Sequence, residues 1–394
     1  MRFIHIADCH IGGWRDEKMS ELGVLAFKKV VSEAVSKYVD FVLISGDLFN
    51  SALPPIDKLK EAVIALKKLK QAGIKCYVIP GSHDFSPSGK TMIDVLEHAD
   101  LLVDVFKGDV VDDVLKLNFT VDSRSGAKIT GIIGKKGMLD RKYYEKLDKE
   151  SLELAKGFKI FMFHTALTEL KPPELEKIES SPVSILPSGF DYYAGGHVHI
   201  VEHRNFEGHR NVIYPGALFP NNFAELEKFK NGGYCFYDEG KISFHPVNVK
   251  DVIVLNFDCD GRIVSDVEKE IMNEIKEIDA SNKIITIRVK GELLTGKPSD
   301  IPFNQIFGML YHKGAYFVMK STSLASSKEV EIVPSTASSV EEAEEKVIKD
   351  NSTPEEEKLI RNLIKVFSLE KQDGETKYNF EKRVIEETRK VIDL

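Results

Sequence analysis

The sequence predicts an α/β fold in which a parallel sheet carries helices on its faces. Short apolar runs of strand length alternate with helical stretches over the first 100 residues. An Asp, Gly or His follows each apolar run almost at once. The chain of 394 residues, 42% of them hydrophobic, is also long enough for a second, smaller domain. Alternation at this spacing indicates a parallel sheet covered by helices.

The first elements follow from hydrophobic periodicity. Predicted strands cover residues 3–7, 41–45 and 74–80, and two later ones cover 158–163 and 191–194. Between the first three strands, apolar residues recur at helical spacing around 27–35 and 59–69. Strand, helix and strand therefore follow one another in the order that a parallel sheet requires.

Composition limits the function classes. The chain has 54 Lys and Arg against 62 Asp and Glu, a net charge of −8, which argues against nucleic-acid binding by bulk electrostatics. A nuclease stays possible, because metal ions neutralise phosphate locally. No apolar run approaches the roughly 18 residues of a membrane span, and no signal peptide is expected. Four cysteines without C-x-x-C spacing predict neither a zinc site nor disulfides, and hence a reducing cytoplasm.

Metal-capable side chains follow five predicted strands, each at the carboxyl end where ligands of open α/β sheets collect. In chain order they are Asp8 and His10, Asp47, His83 and Asp84, His164, and His197 and His199. Each pattern alone has an ordinary explanation. A Gly-Asp after a strand, for example, is usually a turn whose Asp caps the next helix. Five such patterns in order predict one shared site.

The residue types suit a dinuclear metal site. Two ions about 3.5–4 Å apart need a bridging carboxylate, with imidazoles and further carboxylates completing each ion. Mixed Asp and His ligands favour Mn, Fe or Zn over the all-oxygen sites of Mg. Such a pair binds phosphate oxygens and lowers the pKa of water, and a histidine outside the ligand set can protonate the leaving oxygen. The pattern predicts phosphate ester hydrolysis.

These residues resemble the motifs of the calcineurin-like metallophosphoesterase superfamily. Within it they are most similar to the SbcD and meiotic-recombination-eleven nucleases of double-strand break repair. The matching segments are residues 6–12, 44–50, 81–84, 163–165, 194–199 and 214–217. The resemblance implies a metallophosphoesterase β-sandwich flanked by helices over residues 1–250.

The resemblance also implies two divalent metal ions, with Mn²⁺ as the expected ion. The implied ligands are Asp8, His10 and His199 for the first ion, Asp47 as the bridge, and His164 and His197 for the second. His83 is implied to lie near the scissile phosphate without binding metal, and Asp84 to orient it.

One ligand position departs from the family pattern. The third motif normally reads Gly-Asn-His, and its asparagine amide oxygen completes the second metal, whereas this chain has Ser82. A serine hydroxyl is shorter and is a weaker neutral ligand. We therefore expect a more labile second metal, or contact through a water.

Three further segments are predicted after residue 250. Residues 251–320 carry strand and helix patterns of a small α+β module, which resembles the family's DNA-capping domain. An oligomerisation or packing domain is the alternative. Residues 321–353, rich in Ser, Thr, Glu and Lys, predict a linker. Residues 354–394 predict two amphipathic helices, one opened by Pro354.

The terminal helices carry apolar stripes that need a partner surface. Relatives of this layout place such helices on the coiled-coil base of an SMC-like ATPase of the SbcC type, and they form homodimers. The candidate partner-binding residues are Leu359, Leu363, Phe367, Phe380 and Val384. Docking into a groove would bury these stripes. Folding back onto the chain's own domain is the alternative.

A local basic cluster precedes the fourth motif and consists of Lys135, Lys136, Arg141 and Lys142. Lys and Arg contacts to phosphates position DNA without reading its sequence. The cluster therefore predicts DNA ends or single strands as substrate, with no sequence preference. An ordinary solvated loop explains the same residues equally well.

Three function hypotheses follow from the sequence. The first is a Mn-dependent DNA exonuclease and endonuclease that processes DNA ends in double-strand break repair with an SMC-like ATPase. The second is a phosphodiesterase acting on small nucleotides, which needs neither a cap nor terminal helices. The third is a DNA-tethering subunit with a weakened site, motivated by Ser82.

Overall fold

The computed structural model describes residues 1–86, 89–172, 178–327, 354–369 and 377–392. The chain separates into two compact units, residues 1–329 and 330–394. The strands are β1 (Arg2–Ile6), β2 (Phe41–Ser45), β3 (Lys75–Ile79), β4 (Val103–Asp104), β5 (Gly108–Val111), β6 (Val114–Leu117), β7 (Thr120–Val121), β8 (Lys128–Ile132), β9 (Lys159–His164), β10 (Tyr192–Gly196), β11 (Val201–Phe206), β12 (His209–Pro215), β13 (Gly232–Asp238), β14 (Lys241–Val247), β15 (Val252–Asp258), β16 (Ile284–Leu293) and β17 (Phe317–Ser327). The α-helices are α1 (Glu17–Ser36), α2 (Ile56–Gln71), α3 (Met92–His98), α4 (Arg141–Glu145), α5 (Lys149–Glu153), α6 (Phe223–Phe229), α7 (Val264–Glu277), α8 (Phe303–His312), α9 (Pro354–Phe367) and α10 (Lys377–Val391).

Two sheets face each other and form a β-sandwich. In the first, the strand order is β14-β13-β1-β2-β3-β4, and the strands from β1 to β4 pair in parallel. In the second, the order is β11-β12-β10-β9-β8-β7, and the central strands β12, β10, β9 and β8 pair in parallel. The predicted α/β class and the sandwich implied by the family resemblance are both confirmed.

The alternation of side chains along each strand builds separate cores on its two faces. Inward-pointing residues of both sheets meet in one apolar layer, where Phe3 and Phe41 stack with ring centroids 4.9 Å apart. The opposite faces of β1 and β2 instead pack against α1 and α2. The strand β2 is buried at all five positions, as expected for a strand covered on both sides. This packing holds the carboxyl ends of the parallel strands in fixed positions.

The module after residue 250 is a parallel sheet, β15-β16-β17. Along the chain, α7 connects β15 to β16 and α8 connects β16 to β17. Its own core includes Val267, Ile271 and Ile275, which are spaced to share one face of α7. The predicted start of the linker at residue 321 is wrong. The strand β17 continues to Ser327, because it pairs with the long strand β16 up to Leu293. The rest of the predicted linker, 328–353, lies outside the described residues.

The second unit contains α9 and α10, which contact each other. The helices predicted from residue 354 onward are therefore present, and Val366 of α9 is buried. Other apolar side chains of this unit stay exposed, among them Phe367 at 66%. No helix in the described ranges is both long and apolar enough to cross a membrane. The four cysteines all lie in described segments and are free and buried.

Candidate metal centre

The loops after β1, β2 and β10 are bonded to one another at one edge of the sandwich. The backbone N–H of Asp8 donates to Gly46 O (3.2 Å), and that of His10 donates to Asp47 O (2.9 Å). The backbone N–H of His197 donates to both carboxylate oxygens of Asp8, at 3.0 and 3.1 Å. Two main-chain bonds, together with the bonds from the His197 N–H to the Asp8 carboxylate, thus bring the conspicuous Asp and His residues to one place.

The backbone at this edge is unusual for residues other than glycine. Asp8, His10, Asp47 and His197 have φ values of 48°, 42°, 50° and 89°. Positive φ is uncommon outside glycine, although Asp and His tolerate it better than most residues. Such conformations persist where the surrounding structure enforces them, and they cluster at functional sites. The loops therefore hold these side chains at some cost in backbone energy.

Glycines next to the site leave room for its side chains. A Cβ atom on Gly46 would lie 2.1 Å from His164 Nδ1, and one on Gly81 would lie 2.2 Å from Asp47 Oδ1. No side chain can replace either glycine without moving a site residue. The Gly-Asp and Gly-Ser-His motifs thus need glycine for close approach, beyond its use in turns.

The first predicted ligand set is brought together. Ligand-capable atoms of Asp8, His10 and His199 lie within 4.8 Å of one another. The Nε2 atoms of His10 and His199 are 3.1 Å apart, and His199 Nε2 is 3.7 Å from Asp8 Oδ1. Burial lowers the pKa of His10 to about 3, so this imidazole is neutral and able to bind a metal.

The second set shares a carboxylate with the first. Ligand-capable atoms of Asp8, Asp47 and His164 also lie within 4.8 Å of one another. His164 Nε2 is 3.2 Å from Asp47 Oδ2 and 4.0 Å from Asp8 Oδ1. Burial opposes charge on both partners, yet His164 holds the pKa of the Asp47 carboxyl well below its usual range. Asp47 is thus an anion whose Oδ2 faces two imidazoles, because His10 Nε2 lies 3.8 Å from the same oxygen.

The donor set fits divalent metal ions. Among the described histidines, His164 Nε2 and His10 Nδ1 are buried without a hydrogen-bond partner, and His164 Nε2 is the one of these two atoms that lies near the carboxylates of Asp47 and Asp8. His164 Nδ1 donates to Ser45 O at 2.8 Å, which leaves Nε2 as the ring atom available to a metal. The 3.1 Å between the Nε2 atoms of His10 and His199 also suits two ligands of one ion, given metal–nitrogen bonds of about 2.1 Å.

Comparison with known proteins identifies this arrangement. A sequence profile of the family described as "Calcineurin-like phosphoesterase" matches residues 1–201, about half of the chain. The chain belongs to the calcineurin-like phosphoesterase family. The phosphoesterase is therefore a metal-dependent hydrolase, as predicted from its five strand-end motifs.

Similar proteins of this family include several named "DNA double-strand break repair protein Mre11". The phosphoesterase is 27% identical to the one from Methanococcus maripaludis, over 72% of this chain and 76% of that protein. It is 26% identical to the one from Sulfolobus acidocaldarius, over 93% of this chain and 99% of that protein. For the one from Archaeoglobus fulgidus the identity is 27%, but the chain spans only 52% of that relative's length.

Similarity to solved structures is weaker. The structure of the Thermus thermophilus protein TT1561 is 16% identical, with a TM-score of 0.41 over 63% of this chain and 99% of that chain. A dimetal phosphatase from Danio rerio is 10% identical, with a TM-score of 0.40 over 62% of this chain and 95% of that chain.

His83 lies beside the Asp47 carboxylate of the phosphoesterase. A ring nitrogen of His83 groups with His10 and Asp47 within 4.8 Å, and the His83 N–H donates to Asp47 Oδ1 at 2.7 Å. The ring atom Nδ1 is 3.0 Å from Asn50 O. A carbonyl oxygen only accepts, so Nδ1 carries the proton and Nε2 is the atom free to exchange one.

Asp84 is placed differently from its predicted orienting role. It is buried, and its two oxygens accept from the backbone N–H groups of Phe49 (3.1 Å) and Gly81 (2.8 Å). Burial and the nearby Asp47 raise its pKa to about 7. The contacts of Asp84 therefore hold the loops after β2 and β3 together, and Asn50 O is the group that orients the His83 ring.

The remaining predicted ligands lie at the margin of the two sets. The ring of His197 is 5.2 Å from the ring of His164, centroid to centroid, but no group of close ligand atoms in the described ranges includes it. Ser82 is buried and lines a cavity of about 660 Å³. Lys135, Lys136 and Tyr143 line the same cavity.

The four residues of the basic cluster differ in their contacts. Lys135 Nζ donates to Tyr143 OH at 2.8 Å and lies 4.9 Å from the centroid of that ring. Arg141 pairs with Glu145 at 3.0 Å, while Lys136 and Lys142 are exposed. Lys135 and Lys136 thus share a cavity with Ser82, whereas Arg141 is engaged within α4.

The sequence analysis missed one residue of the centre, Glu225 of α6. Its Oε1 accepts from His199 Nδ1 at 2.9 Å, and burial of both side chains shields the pair from water. The sequence did carry a signal, because Asn222 and Glu225 stand at capping-box spacing and Asn222 caps α6. That signal predicts a helix start and gives no reason to expect contact with a histidine 26 residues away.

Proposed function

We propose that the protein is a two-metal DNA exonuclease and endonuclease that processes DNA ends in double-strand break repair. The observation that carries this proposal is the pair of ligand sets joined through Asp8, His10 and Asp47 at the strand ends of a calcineurin-like phosphoesterase. The names of its relatives support DNA as the substrate, and the alignment over 93% of the chain supports transfer to the whole protein. Mn²⁺ is the proposed metal, since mixed Asp and His ligands suit it.

The candidate ligands divide into two groups, one for each metal ion. Asp8, His10 and His199 would hold one ion, and Asp47 with His164 the other, with His197 and Ser82 completing the second. When bound, two such ions neutralise the phosphate and lower the pKa of water to near neutrality. The buried, preorganised carboxylates and imidazoles keep this charge in place without reorganisation during the reaction.

His83 is the proposed proton donor to the leaving oxygen. Because the Nδ1–H of His83 donates to Asn50 O, a further proton that arrives at the ring binds Nε2 and forms an imidazolium. That Nε2 proton is the one available to the departing oxygen. The backbone bond from His83 N–H to Asp47 keeps the ring next to the metal-holding carboxylate.

DNA ends and single strands without sequence preference are the proposed substrate. Lys135 and Lys136, which line one cavity with Ser82, would contact phosphates, and the exposed Arg141 and Lys142 are the other candidate contacts. Phosphate contacts of this kind position a strand without reading bases. The module from residue 251 to β17 would cap the DNA beside the centre.

The proposed partners are a second copy of this chain and an SMC-like coiled-coil ATPase of the SbcC type. The apolar side chains left exposed in the second unit support docking of its helices into a groove. The candidate contacts are Leu359, Leu363 and Phe367 of α9, and Phe380 and Val384 of α10. Burying such stripes is how amphipathic helices bind a groove.

A weakened, DNA-tethering subunit is the second candidate, and Ser82 is the observation that favours it. The serine hydroxyl is a poorer metal ligand than an amide oxygen and is shorter. A labile second ion would leave DNA and partner binding intact and would slow cleavage. A phosphodiesterase that acts on small nucleotides is the third candidate carried from the motifs.

The test measures Mn²⁺-dependent cleavage of single- and double-stranded DNA, with bis-p-nitrophenyl phosphate in parallel. Asp47→Ala should lose cleavage and metal together, whereas His83→Ala should lose cleavage while keeping both ions. Asp109→Ala, an exposed carboxylate on β5, is the matched control and should behave as wild type. Turnover of the small diester alone would reject DNA as the substrate. Binding of DNA without turnover of either would support the tethering subunit.

A further inference from the structure

We infer that Glu225 is a positioning residue for the metal ligand His199, and that the module after residue 250 holds Glu225 in place through α6. This inference rests on the metal-binding part of the proposed function and not on DNA as the substrate. Its three steps are the His199–Glu225 bond, the anchoring of Glu225 within its helix, and the contact between α6 and Arg288 of β16.

The first step is the hydrogen bond on the far side of the His199 ring. Nδ1 of His199 is 2.9 Å from Glu225 Oε1, and Nε2 lies 3.1 Å from the corresponding atom of His10. A carboxylate only accepts, so Nδ1 carries the proton and Nε2 presents its lone pair towards the centre. Metal-binding histidines are oriented in this way by a carboxylate on their other nitrogen. The side chains are only 20% and 16% exposed, so water does not compete freely for the bond.

The second step is that Glu225 has little freedom of its own. Its Oε2 accepts from the Asn221 N–H at 2.8 Å, and its Oε1 accepts from Asn222 Nδ2 at 2.5 Å. Its backbone N–H donates to Asn222 Oδ1 at 2.9 Å, which caps the start of α6. Both carboxylate oxygens are thus occupied, and the orientation of His199 follows the position of this helix.

The third step joins α6 to the module after residue 250. Arg288 of β16 donates from Nε to both oxygens of Glu227, at 3.1 and 2.8 Å, and its side chain is only 17% exposed. Its guanidinium also lies 5.0 Å from the ring centroid of Phe223, the first residue of α6. The Arg288–Glu227 pair is bidentate and largely buried, and the guanidinium stacks on an aromatic ring. This gives a defined geometry that a lysine would not reproduce.

The contact to His199 and the contact to Arg288 both start from the short helix α6, at residues two positions apart. Glu225 reaches the metal ligand and Glu227 reaches the module, so a shift of the module displaces the carboxylate that aims His199. Removing an outer-shell carboxylate typically weakens metal binding about 10–100-fold. The module therefore takes part in metal affinity through α6.

The experiment titrates the full-length protein with Mn²⁺ by calorimetry and resolves the two sites, with His199→Ala identifying the site concerned. Glu225→Ala should weaken that site about 10–100-fold and leave the other unchanged. Glu225→Gln should restore most of the affinity, because its carbonyl oxygen still accepts from Nδ1. Thermal unfolding is recorded for every variant.

The link through α6 is tested by a matched pair of arginines. Arg288→Ala should weaken the same site, and Arg262→Ala should not, because Arg262 pairs with Glu270 within the module and does not contact α6. Unchanged Mn²⁺ affinity in Glu225→Ala overturns the positioning role, and equal losses at both sites do so as well. Equal effects of the two arginine variants overturn the link. A wild-type protein that binds no Mn²⁺ refutes the metal centre itself.

Discussion

Each of three imidazoles at the centre has its Nδ1 occupied by a different acceptor. His164 donates to Ser45 O, His83 to Asn50 O and His199 to Glu225. In every case Nε2 is left as the functional atom, because the proton of a neutral imidazole stays on the nitrogen that donates. The chemistry available at this centre is thus decided by groups that would not touch metal or substrate themselves.

At the residue scale, we expect Ser82→Asn to strengthen binding of the second ion. The longer side chain brings an amide oxygen toward the position that the serine hydroxyl reaches less well. The expected gain in Mn²⁺ affinity is on the order of tenfold, equivalent to about 1.4 kcal/mol. Calorimetric titration of the two sites measures it, and DNA cleavage at limiting Mn²⁺ should rise in parallel.

Ser82→Ala is the control for this substitution. It removes the hydroxyl without adding a ligand, so the second site should bind Mn²⁺ no better than in the wild type. If the asparagine variant binds the second ion no more tightly than the alanine variant, Ser82 does not stand at a ligand position.

At the element scale, the loops that follow parallel strands carry the ligands, and the helices decide how those loops are held. Parallel pairing aligns the carboxyl ends of β1, β2 and β3 in one sheet and those of β9 and β10 in the other. The face-to-face packing of the two sheets brings these two groups of ends together. The helix α6 adds a carboxylate from outside this set. Sequence periodicity predicted the five strands that precede the candidate ligands and the long helices, and it placed the end of the module after residue 250 too early, at residue 320.

The exposed apolar residues of α9 lead to a prediction about partner binding. Phe367→Asp should weaken binding to an SMC-like coiled-coil ATPase by at least about 30-fold, the effect of losing a contact worth roughly 2 kcal/mol. Hydrolysis of bis-p-nitrophenyl phosphate should not change, because Phe367 is 66% exposed and belongs to the second unit. Pull-down and calorimetry with the coiled-coil base measure the binding.

Lys365→Asp is the matched control on the same helix. Lys365 is exposed and lies about 200° around the helix axis from Phe367. Lys365→Asp places the same aspartate on another face, with a larger change in net charge, and should leave partner binding within a few-fold of wild type. If both variants bind the ATPase as well as the wild type does, the apolar face of α9 is not the docking surface.

At the scale of the whole molecule, the candidate metal ligands come from both sheets of the sandwich. Asp8 and Asp47 follow strands of the first sheet, whereas His164 and His199 come from the end of the second. Ions bound to all of them would tie the two sheets together at this edge. The native state alone has this arrangement, so metal binding must add to the free energy of unfolding.

We expect Mn²⁺ at about 100 times its Kd to stabilise the protein by about 2.7 kcal/mol for each site filled. The midpoint of thermal unfolding should rise accordingly, and EDTA should return it to its starting value. Asp47→Ala should show no such shift, while Asp109→Ala should shift as the wild type does. A rise of the same size in Asp47→Ala would mean that Mn²⁺ binds elsewhere.

Local sequence was sufficient for most of the centre. Each candidate ligand from Asp8 to His199 stands directly after an apolar run, and parallel pairing brings such positions to one edge within each sheet. The edges of the two sheets meet because the sheets pack face to face. The phosphoesterase class and the general position of the site were therefore predictable from residue type and spacing. Ser82 was conspicuous for the same reason, because it stands in a motif whose other members match.

The sequence by itself thus determined the α/β class, the metal-capable residues and the hydrolytic chemistry. Only the tertiary structure decided which nitrogen of His83, His164 and His199 faces the centre. It alone also shows that Glu225 contacts His199 and that Arg288 contacts the helix of Glu225. Glu225 is 26 residues from His199, and Arg288 is 61 residues from Glu227. Periodicity reports which face of an element is buried. It carries no information about which distant side chain will complete a hydrogen bond, because that depends on how whole elements pack.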